Sequence, residues 1–526
     1  MNQTMRRVLE NAVVIGLFVL LSGLIAVYFG KDLSWDLANY HFYNPFSYLH
    51  NRSAMDVWPY EFVHVYFAPT FDFLTYFLIT YTKPLTAVFL MGAIHGLNFW
   101  LVFCIAKLLL SSIQIRWTSQ MRTVFAFMLA CLGIFGPTVL PGLGTFQQDE
   151  LASIFVLANF YCVMRYLQNK NEASVGWMMV AGVFLGAGIG GKLTTSVFLV
   201  GECVALLLVS MRWHVRVYFL VGVIAGWLLM SGYWMAMMWY EHHNPLYPLL
   251  NGIFHSPDFP AYDWKDNRFL PFGIKQYLFF PFYYSWSGNF NTYFRDIRYP
   301  VLYVLFVIAM GKTILMPSKT KMNDMTKWLV ITYIISFVFW QGYFAVFRYI
   351  AVLEMLAPLM IYILLSELIT KESLRLVVFS VICGVLIITM IPQQMVRLSN
   401  YSGTYFNLRM PCETMQIKSA WILMPVSAYA LSVNPRPQQY LIPFFPSGWH
   451  VAGVPFQDRE YRVPTHLSDK LKNQTFIYLL ASKEHMKYMR DIAARFAFNK
   501  MGKCYSLKND RQLETGQDVW LCRVLK

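Results

Sequence analysis

Charge is scarce in this chain. Only 13% of its 526 residues are Asp, Glu, Lys or Arg, against roughly a quarter in a soluble protein. With 57% hydrophobic residues and a mean hydropathy of +0.43, that scarcity excludes an ordinary soluble domain. Cysteine is sparse too. The eight cysteines form no C-x-x-C pair, so nothing points to a paired-cysteine motif, and Cys104, Cys131, Cys162, Cys203 and Cys383 read as packing residues. No A-x-A-like cleavage site follows the first apolar run, which is therefore expected to stay as a helix. No internal repeat is visible, against the pattern of many transporters. The Gly-rich stretch GAGIGGKLTTS is no nucleotide loop, because Leu193 follows the lysine and no soluble strand precedes it.

What the chain has in quantity is apolar runs of membrane length. They predict a mainly α, polytopic transmembrane protein of about eleven spans. The spans are expected at 11–29, 85–110, 123–140, 149–166, 176–191, 193–211, 217–240, 299–316, 327–345, 350–369 and 374–392. Residues 68–82 are apolar but short for a crossing and read as re-entrant or interfacial. Arg6 and Arg7 put the N-terminus on the cytoplasmic side. Every second loop is then basic, through Arg116 with Arg122, Arg165 with Lys170, Arg212 with Arg216, Lys312 with Lys319, Lys321 and Lys327, and Lys371 with Arg375. The tail at 393–526 falls outside. It holds +9 of the net +15, so the basic balance reads as solvated surface or lipid and glycan contact and not as nucleic-acid binding.

Two large outer loops, 30–84 and 241–298, and this tail hold most of the polar sequence. The tail is expected to be a small α/β extracytoplasmic domain, with strands at 475–481 and 518–525 and a helix at 483–498. Cys504 and Cys522 flank a terminal strand pair there, and an oxidising compartment would permit a disulfide. The first loop is the organising stretch. Helical spacing would put Asp36, Asn39, Tyr40 and Tyr43 on one side, a carboxylate among amides and phenols that can hold a sugar. An interfacial aromatic belt would have a similar composition.

Ionisable residues at membrane depth are costly and are functional candidates for that reason. Asp149 and Glu150 open a span after GLGTFQQ. Lys192 sits among glycines, and Arg348 opens RYIAVLEMLAP. His95 and Glu202 lie deeper, where an interhelical hydrogen bond is the expected use.

The inside N-terminus, single span and large outer loop with an early Asp resemble the GT-C glycosyltransferases. The segments WDLANYHFYNPFSYL, TFDFLTYFL, GGKLTTS, NPLYPLLNGIFHSP and FRDIRYPVLYVL look like bacterial membrane proteins near glycosyltransferase family 87, over roughly residues 10–370. The resemblance implies a transmembrane catalytic module at 1–392 in a bacterial cytoplasmic membrane. It implies transfer of a monosaccharide from a polyprenyl-phosphate carrier to a glycan, lipid or protein acceptor on the outer face. Asp36 matches the first-loop acid that acts at the acceptor, with Asp56 and Glu61 as competitors. Arg348 and then Lys192 would meet the lipid phosphate. Asp149 or Glu150 would orient the acceptor, or help hold a divalent metal where a member uses one. His41, Asn44 and Tyr43 would contact the sugar. The rival classes are a flippase for lipid-linked glycan and a noncatalytic partner in envelope-glycan assembly.

Overall fold

A computed structural model describes residues 3–526, except 60–61, 114–116, 171–173, 258, 264, 286–293, 316–321, 427–438, 456–464, 473 and 511–517. Glu61, Arg116, Lys319 and Lys321 lie outside the described residues. The chain is mainly helical, with a small C-terminal sheet. Each expected apolar run coincides with a helix. Seven of these are long and apolar enough to cross a membrane, and Ser119–Ile134, Gly176–Gly191 and Leu193–Leu208 are shorter apolar stretches. The 68–82 segment holds only the ten-residue helix Asp72–Tyr81, which at 1.5 Å per residue is half a bilayer core.

Contacts divide the chain into two compact units. The first comprises Met1–Ala26, Phe89–Tyr233 and Lys265–Met395. Its central helix is Ala351–Leu368, in which every residue from 351 to 365 is buried. A helix that is apolar all round has no face to give to solvent or lipid and must be surrounded by other helices. Two of the helices in this unit approach unusually closely. Gly182 and Gly186 of Gly176–Gly191 meet Gly222 and Gly226 of Trp213–His242. A Cβ at Gly186 would collide with the Val223 carbonyl oxygen, and one at Gly226 with that of Val183. Glycines spaced by four residues let two backbones touch where hydrophobic exclusion gives no advantage in lipid.

The second unit comprises Val27–Val88, Trp234–Trp264 and Val396–Lys526. Its sheet has five strands: β1 (Ala420–Val426), β2 (Trp449–Pro455), β3 (Ile477–Ser482), β4 (Lys500–Ser506) and β5 (Val519–Leu525). Their order is β2-β1-β3-β5-β4. The first three are parallel, with Ala420 opposite Trp449 and Trp421 opposite Ile477. Strands β5 and β4 add antiparallel. All of β1 and β3 is buried, which is why they read as continuous apolar runs and not as alternating ones. The helix Met486–Arg495 packs Met489, Ile492 and Ala493 onto this core. Cys504 and Cys522 face each other across β4 and β5 and are joined by a disulfide. The outer edge of β2 is not left open, since Val57 of the first loop pairs with Ala452. Val57 donates to Val451 O at 2.8 Å and accepts from Gly453 N at 2.8 Å.

The glycine contact makes a steric prediction. Gly186→Leu forces the two helices apart and should cost about 3 kcal/mol, read as an earlier melting of helical circular dichroism in detergent, whereas substitution of Gly16, which has open space around it, should not. A second prediction concerns pH. His485 Nδ1 lies 2.6 Å from Ser482 Oγ, and burial pushes its imidazole below the ordinary histidine range. The folded chain therefore binds that proton less readily than the unfolded one. The stabilisation is present above about pH 6.5 and is lost as pH falls through that value toward the lowered folded one. Acid destabilisation of the β-domain should flatten in His485→Gln.

Candidate functional site

In the first unit, three of the sequence candidates come together at breaks in the helical backbone. The loop Gly142–Gln148 is buried throughout and ends with Gln148 in the left-handed region at φ 68°. The next residue, Asp149, begins the helix Asp149–Gln168, so its carboxylate sits at the positive end of the helix dipole. Lys192 adopts extended backbone (φ −150°, ψ 106°) between Gly176–Gly191 and the 3-10 turn Leu193–Thr195. Arg348 lies in the 3-10 turn Phe347–Ile350 that leads into Ala351–Leu368.

The Lys192 ammonium is 2.6 Å from Asp149 Oδ1 and donates to Gln147 O at 2.7 Å. Arg348 Nε is 3.4 Å from Asp149 Oδ2, an ion contact too long for a good hydrogen bond. The Tyr349 ring lies 5.3 Å from Lys192 Nζ and 5.7 Å from Arg348 Cζ. The carboxylate side chain is 2% exposed, but the cations keep 13% and 17%. Two cations thus share one buried carboxylate and both retain surface. Glu150 points elsewhere. Its Oε1 occupies the space a Cβ on Gly142 would take, and its backbone carbonyl accepts from Asn98 Nδ2 at 2.7 Å.

A second charged network in this unit, not anticipated from sequence, is closed. Glu354 accepts from Thr138 N and Val139 N, both at 3.0 Å, and from Thr138 Oγ1 at 2.5 Å. Arg298 donates to Asp296 Oδ1 at 2.9 Å, to Glu354 O at 3.0 Å and to Phe135 O at 2.6 Å. All four side chains are buried. Their signal was acids inside segments otherwise apolar. Glu202 makes the expected interhelical bond, accepting from Asn159, whereas His95 Nδ1 accepts from the loop residue Gly144 N at 3.2 Å.

In the second unit the first loop departs from its expected helical register. Leu37–His41 is a π-helical turn, closed by Phe42 N to Leu37 O at 3.4 Å, and an α-helix follows over Tyr43–Leu49. The wider turn keeps Tyr40 beside Asp36, with its hydroxyl donating to Asp36 Oδ1 at 3.2 Å, but takes Tyr43 away. The Tyr43 hydroxyl donates to Asp56 Oδ2 at 2.8 Å. Asp56 also accepts from Arg52 Nη2 at 2.6 Å, Arg52 Nε at 3.0 Å and Val451 N at 2.9 Å. Burial pushes the Tyr43 phenol well above its ordinary range and raises the Asp56 carboxyl against the opposing pull of Arg52. With its oxygens filled, Asp56 is a strut between the loop and β2, and the expected sugar contact at Tyr43 is not available. Asn44 Nδ2 is likewise used, donating to His64 O at 2.9 Å and Phe67 O at 3.2 Å. His41 Nδ1 lies 2.6 Å from Asp72 Oδ1. Asp72 was passed over because it opens a short apolar segment.

Among the described residues no three His, Cys, Asp or Glu side chains converge, and Asp149 has a cation at each oxygen. Asp149, with both oxygens engaged, offers no free ligand oxygen to the divalent metal that the resemblance allows. No known family model matches the chain, and no curated protein matches it.

Removing the shared carboxylate leaves two cations facing each other. Asp149→Asn should cost about 3 kcal/mol, the lower end for breaking a buried pair because both cations reach solvent. Adding Lys192→Met to it should recover part of that loss. A thermal-shift series of the two single variants and the double variant checks both statements.

Proposed function

We propose that this protein is a membrane glycosyltransferase that takes a monosaccharide from a polyprenyl-phosphate carrier. Lys192 and Arg348 hold the carrier's phosphate, and Asp149 is their counter-ion. The observation that carries the reading is the pair of partly exposed cations sharing one buried carboxylate. An incoming phosphate can bond to the exposed parts of both cations, and the cations stabilise the charge that builds on that phosphate as the sugar leaves. The Arg298–Glu354 network is buried and is structural. On the acceptor side, the resemblance assigns the first-loop acid, Asp36. The acceptor is a glycan, lipid or protein on the outer face.

The resemblance implies a bacterial cytoplasmic membrane, and the helix order is compatible with a polytopic membrane protein. The three segments of the second unit share one compact body and so share one side of any membrane. Among the described residues between Val88 and Trp234 there are six helices of more than ten residues, Pro84–Ser112, Ser119–Ile134, Asp149–Gln168, Gly176–Gly191, Ser196–Leu208 and Trp213–His242. Between Trp264 and Val396 there are four of that length, Arg298–Leu315, Asp324–Tyr343, Ala351–Leu368 and Glu372–Thr389. Both numbers are even, as a return to the same side requires. With Gln3–Phe29 they make eleven crossings and an opposite, cytoplasmic N-terminus. Counting only the seven longest apolar helices would leave three crossings in each interval and put the segments on opposite sides. The Cys504–Cys522 disulfide favours the oxidising side for that unit.

The test is turnover by the purified chain in nanodiscs of radiolabelled polyprenyl-phosphate sugars, with membrane extract as acceptor. Sugar transfer is expected, and Lys192→Met and Arg348→Gln should each lower kcat/KM for the donor by about a hundredfold. Translocation of the carrier in liposomes with no transfer from any donor would overturn the reading in favour of a flippase.

A further inference from the structure

The first loop contains a pair that the proposed reaction has not yet used. The His41 side chain is 5% exposed and the Asp72 side chain 5%. Asp72 Oδ1 stands 2.6 Å from His41 Nδ1, which favours the imidazole tautomer with its proton on Nδ1 and its lone pair on Nε2. Nε2 is buried and has no hydrogen-bond partner. An unmet buried polar atom costs on the order of 1–3 kcal/mol, and buried side-chain nitrogens are satisfied as a rule. A histidine kept only for packing would not be expected to retain that cost. Its surroundings are aromatic. The Tyr40 ring lies 4.1 Å from the His41 ring, Tyr40 stacks on His64 at 5.1 Å, and Trp35 and Phe67 meet His64 edge-on at 5.1 and 5.3 Å. Such rings suit the apolar C–H faces of a sugar. The π-helical turn ending at His41 is a rare element of the kind often found at functional sites.

We propose that His41, oriented by Asp72, is the general base of the transfer, in place of Asp36. The assignment rests on the glycosyl-transfer reading. As the acceptor oxygen bonds to the anomeric carbon, its proton passes to His41 Nε2. The bond from that carbon to the phosphate oxygen breaks, and its electron pair leaves on the lipid phosphate. Asp72 stabilises the imidazolium, which then returns the proton to water. Asp36, whose Oδ1 accepts from the Tyr40 hydroxyl, is a positioning residue for the ring packed on His41.

The groups that bear on the titration are Asp36 and Tyr40 on the same turn, His64 on Val63–Tyr66 and Asp72 on Asp72–Tyr81. Gln439–Phe444, which packs on the turn, adds Tyr440, whose hydroxyl donates to Asn509.

The experiment measures kcat against pH for the full chain in nanodiscs, with a donor sugar that the wild type transfers. His41→Gln should lose at least about a hundredfold in kcat with the donor KM unchanged. Its residual rate should lack the wild-type fall at acid pH. Asp72→Asn keeps the packing but not the tautomer, and it should lose kcat while the chain melts as the wild type does. That second variant decides the matter if His41→Gln does not fold. Wild-type kcat in Asp72→Asn, or a wild-type acid limb in His41→Gln, overturns the assignment and leaves glycosyl transfer standing. Absence of transfer by the wild type overturns both.

Discussion

An ion pair inside an apolar helical bundle must be nearly balanced, because neither lipid nor packed side chains can solvate what is left over. Asp149 meets that demand for Lys192 and Arg348, and the local backbone is arranged around it. Each of the three residues stands where regular helix stops: after the left-handed Gln148, at the extended Lys192, and in the 3-10 turn of Arg348. Irregular backbone at membrane depth is tolerated where protein covers it or where it lines a polar space. The glycine-mediated approach of Gly176–Gly191 to Trp213–His242 fixes the helix from which Lys192 emerges. The cluster therefore depends on helix packing as much as on charge.

The two charged networks of this unit show why burial alone does not identify a site. Around Arg298 and Glu354, hydrogen bonds to backbone and side chains close the junction of three helical segments. Around Asp149 the two cations that share it both keep some surface. The first arrangement has little to gain from a ligand. The second gains from any anion that can reach it.

Much of this was legible in the sequence for simple reasons. Apolar runs of membrane length have few alternatives to helix, so the helices fell where hydropathy put them. Asp149, Lys192 and Arg348 stood out because charge is expensive there, and the same physics brought them together. The register of the first loop was not legible. One extra residue per turn between Leu37 and His41 separates Tyr43 from Asp36, and no spacing rule for an α-helix anticipates a π turn. Asp72 was missed because a single acid at the start of a short apolar helix looks like a dipole-favoured first-turn residue. Its partner lies 31 positions away, beyond the reach of periodicity. The GxxxG-like contact was written in the sequence, but glycine in a span has several uses, and only the backbone approach distinguishes them.

Charge at the opposite end of the bundle bears on orientation. Lys170 pairs with Asp324 and donates to Ser210 O at 2.9 Å. Lys327 donates to Leu208 O at 2.7 Å, and Asn323 to Ser112 O at 3.2 Å. These residues lie in or beside four loops that the sequence placed on the cytoplasmic side, and the contacts gather them at one end. Lys327 also satisfies the last carbonyl of the short helix Ser196–Leu208, where a cation is favoured by the dipole. The positive-inside signal and helix capping are thus served by the same side chains. That shared use explains why the signal persists through a chain so poor in charge: the basic loops are part of how the bundle is closed, and their alternation records which helix ends lie together.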